Sequence, residues 1–240
     1  MWQPDFVQIL GVRVDNMTWK AVDSFALKAL SGNEPNQIVT VNGEHILAAS
    51  NNGRHRDVIN NADVVVPDAT NVVLVSRLKG RGLHQTIPGV DLVLWLAKTA
   101  AETNHTVFLL GGGTDIAKVA ASKLQSIFPG LKISGTSSAD PDELEVIKEI
   151  RDASSDIVFV AYGAPKQEYW IAEHKAATGA KILVGVGGTF DMLSGVLPRA
   201  PKLMRSLHLE WLWRLIIQPS RIGRIWNAVI VFPFKALTTK

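Results

Sequence analysis

Val107-Phe108-Leu109-Leu110 runs straight into Gly111-Gly112-Gly113-Thr114, and helical patterning then continues to about Phe128. A short, wholly apolar run that ends in glycines and gives way to a helix predicts a strand buried on both faces, followed by a crossover helix. The same grammar repeats on either side. Residues 37–41, 64–66, 131–134, 157–161 and 182–186 read as further strands, and residues 6–14 as a short strand or hairpin. Between them, helical spacing covers about 19–30, 44–50, 72–78, 92–103, 143–153 and 170–177. Strands alternating with helices predict an α/β chain with a doubly wound, mostly parallel sheet, whose ligands bind outside the carboxyl ends of the strands.

The chain has 240 residues, 47% hydrophobic and 20% charged, enough for one substantial core plus an appendage. With no cysteine it has neither a disulfide framework nor a thiolate metal site. Its six histidines are scattered without close ligand spacing, so neither a resident metal nor a cofactor is expected. The start, Met1-Trp2-Gln3-Pro4-Asp5, lacks the basic and apolar regions of a signal peptide, and the expected location is cytoplasmic.

Charge divides the chain in two. Residues 198–240 carry eight Lys or Arg against the single acid Glu210, a net +7, which leaves −4 for residues 1–197 because the whole chain is +3. Trp211, Trp213 and Trp226 lie among those cations with long aliphatic runs. The expected organisation is therefore a catalytic body over 1–197 and a basic, amphipathic helical appendage over 198–240. Such an appendage suits an anionic membrane surface, with clustered Lys and Arg contributing on the order of 1 kcal/mol each. Its longest uncharged stretch, 225–234, is half the roughly 20 residues a membrane span needs. A core helix with snorkelling arginines is the competing reading. Nucleic acid is not expected, because long aliphatic runs do not suit a phosphate-tracking stripe.

The chemistry-bearing residues gather after the predicted strands. Thr40 and Asn42 follow one, Asp68 a second and Gly111, Gly112 and Gly113 a third, while 162–168 and 185–191 follow two more. Glycines at a strand-to-helix turn let backbone amides approach a diphosphate at the positive end of the helix, although many such runs are simply tight turns. The run is neither a GxGxxG fingerprint nor followed by a Walker lysine, which disfavours a dinucleotide dehydrogenase or a P-loop ATPase. Asp68 follows Pro67 and a Val-rich strand, which points its carboxylate into the crevice, with capping of the helix near Val72 as the alternative. Lys166 and Gln167 stand where they could reach a base or a phosphate. Asp191 is adequately explained as a cap.

Gly163-Ala164-Pro165-Lys166-Gln167-Glu168, Gly185-Val186-Gly187-Gly188-Thr189-Phe190-Asp191, Arg199-Ala200-Pro201 and Leu209-Glu210-Trp211-Leu212 occur in this order. With Thr40-x-Asn42, Ala62-Asp63 through Pro67-Asp68, and Gly89-x-Asp91-Leu92, this series resembles the WecG/TagA/CpsF family, glycosyltransferase family 26, over nearly the whole chain. The resemblance implies a Rossmann-like fold and a metal-independent, inverting transfer of an N-acetylmannosamine-type sugar. The implied donor is a UDP-sugar and the implied acceptor is polyprenyl-diphosphate-linked N-acetylglucosamine, in wall teichoic acid or related polymer synthesis. It implies Asp68 as catalytic base, with Thr40, Asn42 and Gln167 in the pocket. It also assigns Arg214, Arg221 and Arg224 to membrane docking and closure of the site. A catalytically weak, lipid-linked-sugar or nucleotide-binding assembly protein is the rival expectation, and a homo-oligomer is compatible with either.

Two positions depart from the family pattern. Ala69-Thr70-Asn71 replaces a segment in which glycine is usual after the aspartate and frequent two residues on, and Thr86 replaces a common arginine, with Arg81 or His84 as nearby substitutes.

Overall fold

The computed structural model describes residues 4–80 and 82–239. Arg81, one of the two expected substitutes for the missing arginine, lies outside the described residues. Eight strands form: β1 (Phe6–Ile9), β2 (Val12–Asp15), β3 (Asn36–Val41), β4 (Val64–Pro67), β5 (Thr106–Gly111), β6 (Lys132–Ser137), β7 (Ile157–Ala161) and β8 (Ile182–Gly185). The first two make an antiparallel hairpin of their own. The other six make one parallel sheet in the order β4-β3-β8-β7-β5-β6. The expected α/β, doubly wound architecture is therefore present.

Period-two alternation sends successive residues of each strand to opposite faces, and both faces are covered. Ile38, Val64, Leu109, Phe159 and Val184 pack on one side beneath the helices Trp19–Ser31, Gly89–Glu102 and Ile116–Ile127. On the other side Val39, Val41 and Val65 meet the helices Gly43–Ser50 and Thr70–Leu78. There too Leu110, Val158 and Leu183 meet the helices Glu145–Asp152 and Lys166–Thr178. The hairpin is pinned by Asp15, fully buried, which accepts the Val65 N–H at 2.8 Å and pairs with Arg13.

Residues 202–238 are almost entirely helical, in short pieces: Lys202–Ser206, Glu210–Ile217, a 3₁₀ turn at Pro219–Arg221, Ile222–Trp226, a π turn at Asn227–Val231 and Phe232–Thr238. The π turn directly precedes Phe232-Pro233. A proline there cannot donate to the carbonyl four residues back, and the ladder adjusts around it. Phe232 and Ala236 are fully buried in the same cluster as Val39, Ile46 and Val72, so the end of the tail is part of the body's packing. Glycine is required where it lands: a Cβ on Gly43 would stand 2.6 Å from the Phe232 ring. Among the described residues, no helix is long and apolar enough to cross a membrane.

Candidate active site

All six parallel strands end on one edge, and the expected loops converge there. Asp68 follows β4 directly. Its N–H donates to the Val41 carbonyl at 2.8 Å, and its Oδ1 accepts the Gly89 N–H at 2.7 Å. Gly89 opens the helix Gly89–Glu102, whose N-cap is Pro88, with no side-chain oxygen to offer. Asp68 thus supplies from a distance the acceptor that a local cap normally provides. It does not cap the following helix, which runs Thr70–Leu78 from an uncapped Ala69. A Cβ added at Gly89 would lie 3.6 Å from both Asp68 Oδ1 and Thr40 Oγ1, so the two side chains face a common point. Asn42, on the neighbouring strand end, caps the helix Gly43–Ser50 by accepting the His45 N–H at 3.0 Å.

Gln167 is 3% exposed, and both of its amide atoms bond to protein. Its Oε1 accepts the N–H of Gly163 (3.1 Å) and of Gly187 (2.9 Å), and its Nε2 donates to Glu168 at 2.8 Å. It therefore stitches the loop after β7 to the loop after β8. Gly185 must lack a side chain beside it, since a Cβ there would stand 2.7 Å from Gln167 Nε2.

Gly111 and Gly112 have φ of +89° and +80°, the left-handed region that favours glycine. The helix after them begins at Ile116, slightly later than the sequence suggested, with Asp115 at its N-cap making no side-chain bond. Gly112 and the exposed Lys166 line a cleft of about 180 Å³ with Ser138, Asp140 and Tyr162. Burial, reinforced by Asp140 and Glu143, pushes the Tyr162 hydroxyl above its ordinary range.

The tail closes on the other half of this edge. Arg224 Nε donates to Glu44 at 2.6 Å, and Arg214 reaches the Met192 sulfur at 3.8 Å. Arg221 is held below its ordinary value first by burial, then by repulsion from Arg224 and Arg214, with Glu44 and Asp191 opposing. The three arginines form one cluster facing the loops after β3 and β8. Glu210 is pushed up by burial and by Asp68 and Asp91, against Arg199 and Arg214. Arg199 bridges both Asp91 oxygens at 2.8 Å, which ties the start of the tail to the helix that Asp68 caps.

The expected residues thus fall into two groups. Asp68, Thr40, Asn42 and the arginines gather at the β4-β3-β8 end, whereas Gly111, Gly112, Gly113 and Lys166 lie toward β7-β5-β6. Three strand spacings from β3 to β5 amount to roughly 14 Å, a span suited to an extended ligand rather than a compact one. Sequence reading did not anticipate the proximity of Glu210 to Asp68. Nor did it see that Thr70 and Asn71 hold the tail: Thr70 Oγ1 meets His208 Nδ1 at 3.0 Å, and Asn71 Nδ2 donates to the Ala228 carbonyl at 2.7 Å. The signal available was that both replace a glycine-rich segment with side chains able to bond. Thr86 is half-buried and His84 exposed, and nothing in the structure explains the loss of the family arginine there.

The fold is that of a doubly wound α/β protein, with the candidate residues at the carboxyl edge of its sheet. Residues 7–240 match the glycosyl transferase WecG/TagA/CpsF family, and the chain belongs to that family. It is 34% identical over 221 residues to the N-acetylglucosaminyldiphosphoundecaprenol N-acetyl-beta-D-mannosaminyltransferase of Bacillus spizizenii, covering 92% of this chain and 84% of the relative. The enzymes of the same name from Staphylococcus aureus (strain MRSA252) and Bacillus subtilis (strain 168) are 33% and 37% identical. They cover 98% and 84% of this chain, and 93% and 77% of their own lengths.

Proposed function

We propose that the chain transfers an N-acetylmannosamine-type sugar from a UDP donor to polyprenyl-diphosphate-linked N-acetylglucosamine, with inversion and without a catalytic metal, in wall teichoic acid or a related polymer pathway. The observation that carries this reading is the presence, at one sheet edge, of a tethered carboxylate and of an arginine cluster in which Arg214 and Arg224 repel Arg221. The names of the relatives support the acceptor and the sugar.

Asp68 acts as general base. The Gly89 N–H fixes Oδ1 and so orients the carboxylate beside Thr40, with Oδ2 free to take the proton of the acceptor hydroxyl. The hydroxyl oxygen bonds to the anomeric carbon as the bond to the UDP oxygen breaks on the opposite face, and its proton passes to Asp68. One carboxylate suffices for inversion, because no covalent sugar intermediate is needed. The diphosphate leaves with added negative charge. Arg214, Arg221 and Arg224 supply the compensation, and an anion among them relieves the repulsion that depresses Arg221. Amides at Gly111, Gly112 and Gly113 serve the nucleotide half of the donor, with Lys166 at the same cleft. Gln167 acts by holding the two loops in register rather than by touching substrate.

The tail supplies the membrane contact, docking the body peripherally on the inner, cytoplasmic face of the membrane. Nine of the seventeen exposed large apolar side chains recorded among the described residues lie in residues 203–237, including Leu203 (70%), Ile222 (63%) and Phe234 (71%). Because the same segment carries the arginines, docking at a bilayer and completion of the site are one event, which protects the donor from water until the lipid acceptor is present.

The test is UDP release by purified protein with UDP-N-acetylmannosamine and a short-chain polyprenyl-diphosphate N-acetylglucosamine, with Asp68→Asn alongside. Acceptor-dependent release that collapses in the variant is expected. Binding of both ligands with no release of UDP from any of a panel of UDP-sugars overturns the enzymatic reading in favour of a binding protein.

A further inference from the structure

Glu168 and His55 are 1% and 2% exposed, yet Glu168 Oε2 and His55 Nε2 have no hydrogen-bond partner. No ion pair to Glu168 is recorded among the described residues. A buried carboxylate oxygen without a cation or a donor is costly, and native structures leave few such groups. The two groups lie beside a third, the half-buried His45. One ligand atom from each of His45, His55 and Glu168 falls within 4.8 Å of the other two.

We propose that His45, His55 and Glu168 form a site for one divalent first-row transition ion, Zn²⁺ foremost, that clamps three helices beneath the catalytic edge. Two imidazoles and one carboxylate are a borderline-soft set that suits Zn²⁺, with an open fourth position for water. Small side-chain rotations bring the ligand atoms to the roughly 3.3 Å that separates neighbours around a tetrahedral ion with bonds of about 2.0–2.1 Å. The outer contacts already present are those such a site needs. His45 Nδ1 lies 3.1 Å from the Thr40 carbonyl, which can only accept, so the ring is the tautomer whose Nε2 carries the lone pair. Glu168 Oε1 is held by Gln167 Nε2, leaving Oε2 for the ion. His55 Nε2, buried and without a hydrogen-bond partner, is the ring atom left to face the ion.

The ligands come from the helices Gly43–Ser50, Gly53–Asn60 and Lys166–Thr178. Each outer contact leads to a residue of the site, Thr40 through its carbonyl and Gln167 through its amide. The ion's role is to hold these residues, and it lies off the path of sugar transfer. Sequence reading expected no metal because the six histidines are scattered without close ligand spacing, and only the packing of three helices brings His45, His55 and Glu168 together.

The experiment uses the full chain, stripped with EDTA and desalted, then titrated with Zn²⁺ alone by equilibrium dialysis and with Co²⁺ followed by visible absorption. One ion per chain, a rise in the thermal midpoint on loading and Co²⁺ bands of a four- or five-coordinate site are expected. His45→Ala, at a half-buried position, and the isosteric Glu168→Gln should each weaken Zn²⁺ binding by about 10–100-fold or more. His105→Ala, at the opposite edge of the sheet, should leave it unchanged. Absence of stoichiometric binding in the wild-type chain overturns the proposal, and so does binding that survives undiminished in both ligand variants.

Discussion

Phe159 and Trp226 are both large and apolar, yet one is fully buried and the other 59% exposed, and that contrast separates the body of this molecule from its tail. In the body, strand residues are enclosed on both faces, and the polar groups at their ends are tied to backbone: Asp68 to Gly89 and Val41, Gln167 to Gly163 and Gly187. In the tail, short helices expose their apolar sides, and among its described residues only Ala200, Phe232 and Ala236 are buried. The body fixes geometry, and the tail brings charge to it. The proposed transfer, in which a diphosphate leaves, draws on both.

The largest expected effect tests the rigid half. Asp68→Asn keeps an oxygen for the Gly89 N–H but cannot take a proton, so acceptor-dependent UDP release should fall by about 10²–10⁴-fold with little change in the thermal midpoint. Arg221→Ala tests the charge delivered by the tail. It should lower kcat by about 10²–10³-fold, and Arg221→Lys should recover only part of it because an ammonium lacks the bidentate fork. Equal activity in Arg221→Ala and the wild type would break the comparison altogether.

The seam between the halves comes next. Phe232→Ala should cost about 3–5 kcal/mol of packing, read as cleavage by limited proteolysis within residues 198–239 while the body resists. Gly43→Ala should release the same segment by crowding the ring rather than removing it. The smallest effect sharpens the picture. Asn71→Gly restores the residue common in the family and removes the bond to Ala228, and it should loosen the tail by about 1 kcal/mol in the same proteolysis assay. It should also leave binding to anionic vesicles intact, since the exposed apolar and basic residues are untouched.

Much of this was legible in the chain. Apolar runs such as 107–110 and 157–161 read as enclosed strands and form β5 and β7, and their carboxyl ends pointed to the candidate site. The helix Gly53–Asn60 was not anticipated, because its segment carries only Val58 and Ile59 as large apolar residues and shows no stripe. The hydrogen bonds that Gln167 makes to Gly163 and Gly187 were not foreseen, since they depend on loops 24 residues apart being adjacent. The unusual Thr70 and Asn71 looked like departures in the pocket, yet their side chains hold residues 208 and 228.

Sequence alone determined the α/β class and the split between an acidic body and a basic tail, and it singled out the carboxyl edge and Asp68 as candidates. Each follows from local pattern: periodicity, strand-end residues and charge counted along the chain. Tertiary structure alone decided the strand order β4-β3-β8-β7-β5-β6, the gathering of Arg214, Arg221 and Arg224 over Glu44 and Asp191, the approach of Glu210 to Asp68, and the meeting of His45, His55 and Glu168. Those are contacts between residues as many as 180 positions apart, set by which helix crosses which strand, and no local pattern encodes that choice.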